Sequence, residues 1–196
     1  TTGADISLNA PLQFDACIKK GEIHVSDMFN LYTYENQLYT IRMSGKEIHD
    51  LLEMSYRQWV DTMKSKDDHI MLMNQDNNGR YHWQNLAFNF DSAAGIDYEV
   101  DVTKENGHKV KILRMSDGRP FNEDKTYIVA MNSYRGNGGG ELLTKGAGIP
   151  LEEIKSRIEH ISEKDQRRLL MEYIESHSHI NPQAHKNWKF IPTEWT

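Results

Sequence analysis

Tyr127-Ile128-Val129-Ala130-Met131 runs straight into Asn132-Ser133-Tyr134-Arg135-Gly136-Asn137-Gly138-Gly139-Gly140, and this passage says most about the fold. A short, nearly continuous apolar run predicts a central strand buried on both faces. The glycines behind it let the backbone take positive φ and approach a ligand closely, and they place Tyr134 at the strand's exit. A short helix is expected around Glu141 to Leu143. By spacing the loop is neither a Walker loop, since no Gly-Lys-Ser/Thr follows, nor a G-x-G-x-x-G dinucleotide fingerprint. Taken alone it reads as a wide turn.

On the N-terminal side, Ala4 to Leu8 alternates like a short strand that Asn9-Ala10-Pro11 breaks, and Val25 to Tyr32 spaces its apolar residues as a short helix. Leu38 to Met43 alternates like a half-buried strand. Ser44 and Glu47 form a capping-box pair opening a helix whose apolar face is Ile48, Leu51, Leu52, Ser55 and Trp59. Residues 62–80 are polar and read as an exposed excursion. Ile96 to Val102 and Val110 to Met115 alternate strongly beside the turn dipeptides Asn106-Gly107 and Asp117-Gly118, which predicts a meander. Helices are expected over Leu151 to His160 and Lys164 to Ser176, before an aromatic tail with Trp188, Phe190 and Trp195. Strands and helices mixed without strict βαβ alternation give an α+β fold, a mixed sheet with flanking helices, over residues 1–196 as a single domain.

Composition narrows the function. Of 196 residues, 38% are hydrophobic and 27% charged, the balance of a folded globular chain. A net charge of −6 argues against binding a nucleic-acid polymer, whose phosphates are met by clustered Lys and Arg; one small anion remains compatible. No apolar run approaches the roughly 20 residues of a membrane span, and Thr1-Thr2-Gly3-Ala4-Asp5 has no signal-peptide character. Cys17, the single cysteine, excludes an intrachain disulfide and is expected to be buried or half-buried. Asp67-Asp68-His69 and His177-Ser178-His179, with His185, are expected to be solvated rather than metal-binding, and Glu152, Glu153 and Glu159 a solvated helix face.

Leu31-Tyr32-Thr33-Tyr34-Glu35-Asn36 presents a second aromatic pair beside an amide, where a helix meets a strand. Two aromatics from separate loops can sandwich a planar base, with Asn36 reading its edge. The alternative is that these tyrosines are core or rim aromatics.

Tyr32-Thr33-Tyr34-Glu35-Asn36, the Ser44-Gly45-Lys46-Glu47-Ile48 helix start, Phe90-Asp91, Gly95-Ile96-Asp97-Tyr98-Glu99-Val100-Asp101-Val102 and Asn132-Ser133-Tyr134-Arg135 with Gly138-Gly139 occur in an order that resembles the C-terminal domain of the 5′-nucleotidase family. The match runs over roughly residues 4–145 and looks most like the 2′,3′-cyclic-nucleotide 2′-phosphodiesterase/3′-nucleotidase branch, with tyrosines where 5′-nucleotidases have phenylalanines.

The resemblance implies that Tyr34 and Tyr134 are the two faces of a base sandwich and that Asn36 bonds the base edge. Asn9, Gly138 and Gly139 are the other implied substrate-binding residues. The aspartate that holds ribose hydroxyls in 5′-nucleotidases falls on Gly140, which suits a ribose phosphorylated at the 2′ or 3′ position. Asn9-Ala10-Pro11-Leu12 stands where those members carry Asn-Gly-Gly-Gly-Ile-Arg, so the phosphate-contacting arginine is missing; Lys19 or Lys20 is left as an open substitute. Catalysis in the family belongs to a covalently linked N-terminal metallophosphoesterase domain with two divalent metals, whose motifs this chain lacks. The expectation is therefore a nucleoside-recognition fragment, inactive alone, with no metal or cofactor of its own, from a periplasmic, extracellular or cell-surface hydrolase. A 5′-nucleotidase substrate domain, or a non-catalytic binding module, is the alternative.

Overall fold

The computed structural model describes residues 2–196. In chain order its elements are β1 (Ile6–Asn9), α1 (Val25–Leu31), β2 (Gln37–Ser44), α2 (Gly45–Trp59), β3 (Met73–Gln75), β4 (Tyr81–Trp83), β5 (Ser92–Ala94), β6 (Ile96–Asp101), β7 (Val110–Met115), β8 (Thr126–Asn132), α3 (Ser133–Gly136), α4 (Leu151–Arg157), β9 (Ile158–Asp165), α5 (Gln166–Glu175) and β10 (Trp188–Ile191). A five-stranded sheet is ordered β5-β1-β8-β2-β9, a three-stranded sheet β10-β6-β7, and β3 pairs with β4 alone. Mixed sheets with flanking helices agree with the α+β expectation.

The apolar run of β8 is the middle strand of the large sheet, with Tyr127, Val129, Ala130 and Met131 buried. It lies parallel to β1, Ile6 opposite Val129, and antiparallel to β2, Leu38 opposite Asn132. The expected capping box starts α2: Ser44 Oγ accepts from Glu47 N at 3.2 Å, and Ser44 N donates to Glu47 Oε2 at 2.8 Å. Ile48, Leu51, Leu52 and Tyr56 on α2 are fully buried in one cluster with Ile41 and Met43 of β2, Val129 and Met131 of β8, and Tyr98 and Val100 of β6. Each aliphatic side chain so buried contributes roughly 1.5–3 kcal/mol. Ser55 is buried as well, and its hydroxyl donates to Asp91 O at 2.7 Å, so a polar residue on the apolar face is satisfied. The aromatic tail becomes β10, parallel to β6, and Trp188 packs edge-on to Tyr56 at 5.6 Å.

The structure departs from expectation in several places. The helix begun at Leu151 stops at Arg157, and residues 158–165 instead pair with β2 as strand β9. The open edge of β2 supplies backbone partners that local helix propensity does not see, and Ser162 Oγ fills a shift in the ladder by accepting from Leu38 N at 2.8 Å. Glu159 accordingly lies on a strand, paired with Arg42. The glycine-rich stretch starts as a helical turn, α3, because the Asn132 side chain accepts from Arg135 N at 2.8 Å and caps it. Short 3₁₀ and π turns over Gly139–Glu141 and Leu142–Gly146 replace the expected helix near 141–143. Cys17 is exposed, since the irregular stretch between β1 and α1 gives it no core to enter. The polar excursion of residues 62–80 is largely exposed as expected, and its second half starts the β3–β4 hairpin. Among the described residues, no helix is long and apolar enough to cross a membrane.

Candidate functional site

Strand directions bring the singled-out residues to one end of the large sheet. Parallel β1 and β8 finish there at Asn9 and Asn132, while antiparallel β2 starts there opposite Asn132 and β5 starts there with Ser92 opposite Asn9. Asn9, residues 88–91, Tyr34 to Asn36 and Tyr134 therefore share that edge.

Tyr134, on α3, is 41% exposed. Phe88 meets its ring edge-on at 5.9 Å, and the Arg135 guanidinium lies 5.6 Å from its centroid. The ring rests against Gly139, where an added Cβ would come within 2.5 Å of Tyr134 Cε2. Gly138 sits at φ +86°, beyond easy reach of other residues. The two glycines thus have a concrete role: they let the loop turn beneath a half-exposed aromatic face.

Tyr34 is 49% exposed. Its neighbour Asn36 is tied to the opposite loop, with Oδ1 accepting from Ser133 Oγ at 3.4 Å and Nδ2 donating to Tyr32 Oη at 3.2 Å. Ser133 Oγ also accepts from Gln37 N at 3.1 Å. These bonds orient the carboxamide and leave it one N–H and one oxygen lone pair, a donor and an acceptor side by side, for another molecule. The Tyr32 phenol is held above its ordinary value by burial, against an opposing effect from bonds to Asn36 and Asn132. Tyr32 is thus a polar support behind Asn36, while Tyr34 offers an open face.

Sequence reading misses the buried pair at the centre of this edge. Arg135 is 1% exposed and Asp91 3% exposed. The arginine donates Nε to Asp91 Oδ2 and Nη2 to Asp91 Oδ1, each at 2.9 Å, Nη2 to Phe88 O at 3.1 Å, and Nη1 to Gly139 O and Asn89 Oδ1. All five N–H groups have acceptors, so Arg135 fastens residues 88–91 to the glycine loop and has no donor left for a phosphate. A motif of the form Arg-x-x-Gly-Gly signals nothing about that role without Asp91 beside it in space. Gly140, at φ +69°, has no room for a side chain: a Cβ there would collide with Asn89 Oδ1 and Arg135 Nη1.

Asn9 is exposed at the end of β1 and borders a cavity of about 360 Å³ lined by aromatic and apolar side chains, among them Phe14, Trp59, Phe90 and Trp188. It therefore opens on a different hollow from the Asn36–Ser133 contact. Lys19 and Lys20 are exposed in the segment before α1. Among the described residues, no three His, Cys, Asp or Glu side chains are grouped to hold a metal ion; His177, His179 and His185 are exposed.

Known proteins share this arrangement of elements. Residues 1–145 match the model of the 5′-nucleotidase, C-terminal domain, family. The trifunctional nucleotide phosphoesterase protein YfkN of Bacillus subtilis is 32% identical over 190 residues, which cover 91% of this chain and 12% of that protein. A 2′,3′-cyclic-nucleotide 2′-phosphodiesterase/3′-nucleotidase of Yersinia enterocolitica is 28% identical over 191 residues, 88% of this chain and 26% of that protein. The crystal structure of a 5′-nucleotidase precursor from Thermus thermophilus shares the fold, with a TM-score of 0.65 at 20% identity, covering 97% of this chain and 32% of its own. The chain thus spans between about an eighth and a third of the proteins it resembles. On the match across residues 1–145 and the shared fold, this chain belongs to the family of 5′-nucleotidase C-terminal domains.

Proposed function

We propose that this chain recognises the nucleoside part of a nucleotide, stacking its base between Tyr34 and Tyr134 while Asn36 reads the base edge. The observation that carries this reading is the Asn36–Ser133 hydrogen bond, which joins the two loops bearing two half-exposed tyrosines and leaves a donor and an acceptor on the amide unspent. Stacking of this kind contributes about 1–3 kcal/mol per base, and every base has a face to offer, so discrimination falls to the amide. Gly138 and Gly139 shape the Tyr134 side, while Asn9 opens on the separate apolar cavity and takes no part in the stacking.

The phosphoester is proposed to be cleaved by a metallophosphoesterase domain with two divalent metals, covalently linked in a longer protein that works outside the cytoplasm. Names of relatives such as the Yersinia enterocolitica enzyme, together with the absence of room for a ribose-binding carboxylate at Gly140, favour 2′,3′-cyclic and 3′-nucleotides over 5′-nucleotides. Initial rates of the longer protein on 2′,3′-cyclic AMP, 3′-AMP and 5′-AMP test the substrate. A clear preference for 5′-AMP would refute the cyclic-phosphodiesterase reading.

A further inference from the structure

The tyrosine face at Tyr34 sits on a turn with no regular structure of its own, and it is held by a helix beyond residues 1–145 of the family match. Arg167, the second residue of α5, is 6% exposed. Its guanidinium donates Nη1 to Tyr32 O at 3.3 Å and to Thr33 O at 3.4 Å, donates Nη2 to Glu35 Oε1 at 3.2 Å, and lies 4.0 Å from the centroid of the Phe29 ring on α1. One residue earlier, the backbone N–H of Gln166 donates to Asn36 O at 2.8 Å. Together Arg167 and Gln166 fasten Tyr32, Thr33, Glu35 and Asn36, while the Tyr34 ring stays half exposed.

We propose that Arg167 is the positioning residue for the Tyr34 face, fixing the turn before ligand arrives; this rests on the nucleoside reading above. The turn is open to solvent on one side and would otherwise have to be ordered by the ligand, which weakens binding. Asp165 caps α5 by accepting from Arg168 N at 3.0 Å and is itself opposite Gln37 in the β2–β9 ladder, so the helix start is registered to the sheet edge that carries Asn36. Glu35 is largely solvated, so its ion pair adds little, and the two carbonyl bonds and the Phe29 contact do the holding.

The test uses this chain with Arg167→Met and Arg167→Lys, read by backbone ¹⁵N relaxation without ligand and by calorimetric titration with adenosine. In the unsubstituted chain the Tyr34 amide is expected near the rigid limit, an order parameter of about 0.85, falling below about 0.6 in Arg167→Met while the Tyr134 amide is unchanged. The adenosine Kd should rise at least about tenfold in Arg167→Met and less in Arg167→Lys, which keeps the charge without the planar fork. If Arg167→Met unfolds, Arg167→Lys carries both readouts. An unchanged Tyr34 amide, or a mobile one with unchanged Kd, overturns the proposal. Failure of the unsubstituted chain to bind adenosine refutes the nucleoside reading itself, and this inference with it.

Discussion

The Arg135 guanidinium grips both oxygens of the Asp91 carboxylate at 2.9 Å, with neither side chain more than 5% exposed. Removing one partner strands the other charge in the interior, which costs about 3–5 kcal/mol. Arg135→Met should therefore lower the melting temperature by on the order of 10 °C. Arg135→Met combined with Asp91→Leu should recover much of that loss, and a double variant as unstable as the single one would show that the pair is not the cause.

The Tyr134 ring lies on Gly139 so closely that a methyl group there would come 2.5 Å from its edge. Gly139→Ala is expected to displace both the ring and the Tyr134 carbonyl, which the same methyl would approach to 2.6 Å, and to weaken adenosine binding by about tenfold or more, within the range of one stacking face. Titration of the variant checks this, and undiminished affinity would show that the ring position is unimportant.

Gly140→Asp, which places an aspartate where the resemblance implies a ribose-holding carboxylate in 5′-nucleotidases, should not create a 5′-nucleotide site. The position has φ +69° and a Cβ would strike Asn89 and Arg135. Strain of this kind costs on the order of 1–3 kcal/mol, so thermal denaturation should show a less stable protein with no gain in 5′-AMP affinity.

Burial pushes the Tyr98 hydroxyl up to about 12, from an ordinary value of 10.0. The folded chain keeps this proton where the unfolded chain releases it, so stability is intact below about pH 10 and falls as pH rises toward 12, by roughly 3 kcal/mol in all. The buried partner Tyr56, 2.9 Å away, is raised in the same direction. Urea denaturation at about pH 8.5 and about pH 11.5, on either side of the unfolded value, should show about two-thirds of this loss. Tyr98→Phe should make the loss smaller while lowering stability at the lower pH.

Local signals are legible in the sequence and distant ones are not. Ser44 and Glu47 announce the start of α2 because both partners lie within one turn, and the apolar run of β8 announces a central strand because burial on two faces needs no partner identity. The end of α4 is hidden because pairing of β9 with β2 joins residues more than a hundred positions apart. Arg135 and Arg167 hide for the same reason, their carboxylate partners Asp91 and Glu35 lying 44 and 132 positions away in sequence. Family resemblance singles out Tyr34, Asn36 and Tyr134, whereas pattern alone leaves the tyrosines indistinguishable from rim aromatics. The structure adds the Asn36–Ser133 bond that ties their loops together.

Calorimetric titration of this chain with adenosine, 3′-AMP and 5′-AMP, repeated on Tyr34→Ala and Tyr134→Ala, tests the proposed base sandwich. Both rings are close to half exposed, so the melting temperature should change little in either variant. Saturable adenosine binding is expected, and each substitution should weaken it by about 1–3 kcal/mol. Adenosine binding that persists unchanged in both variants would contradict stacking between these two tyrosines.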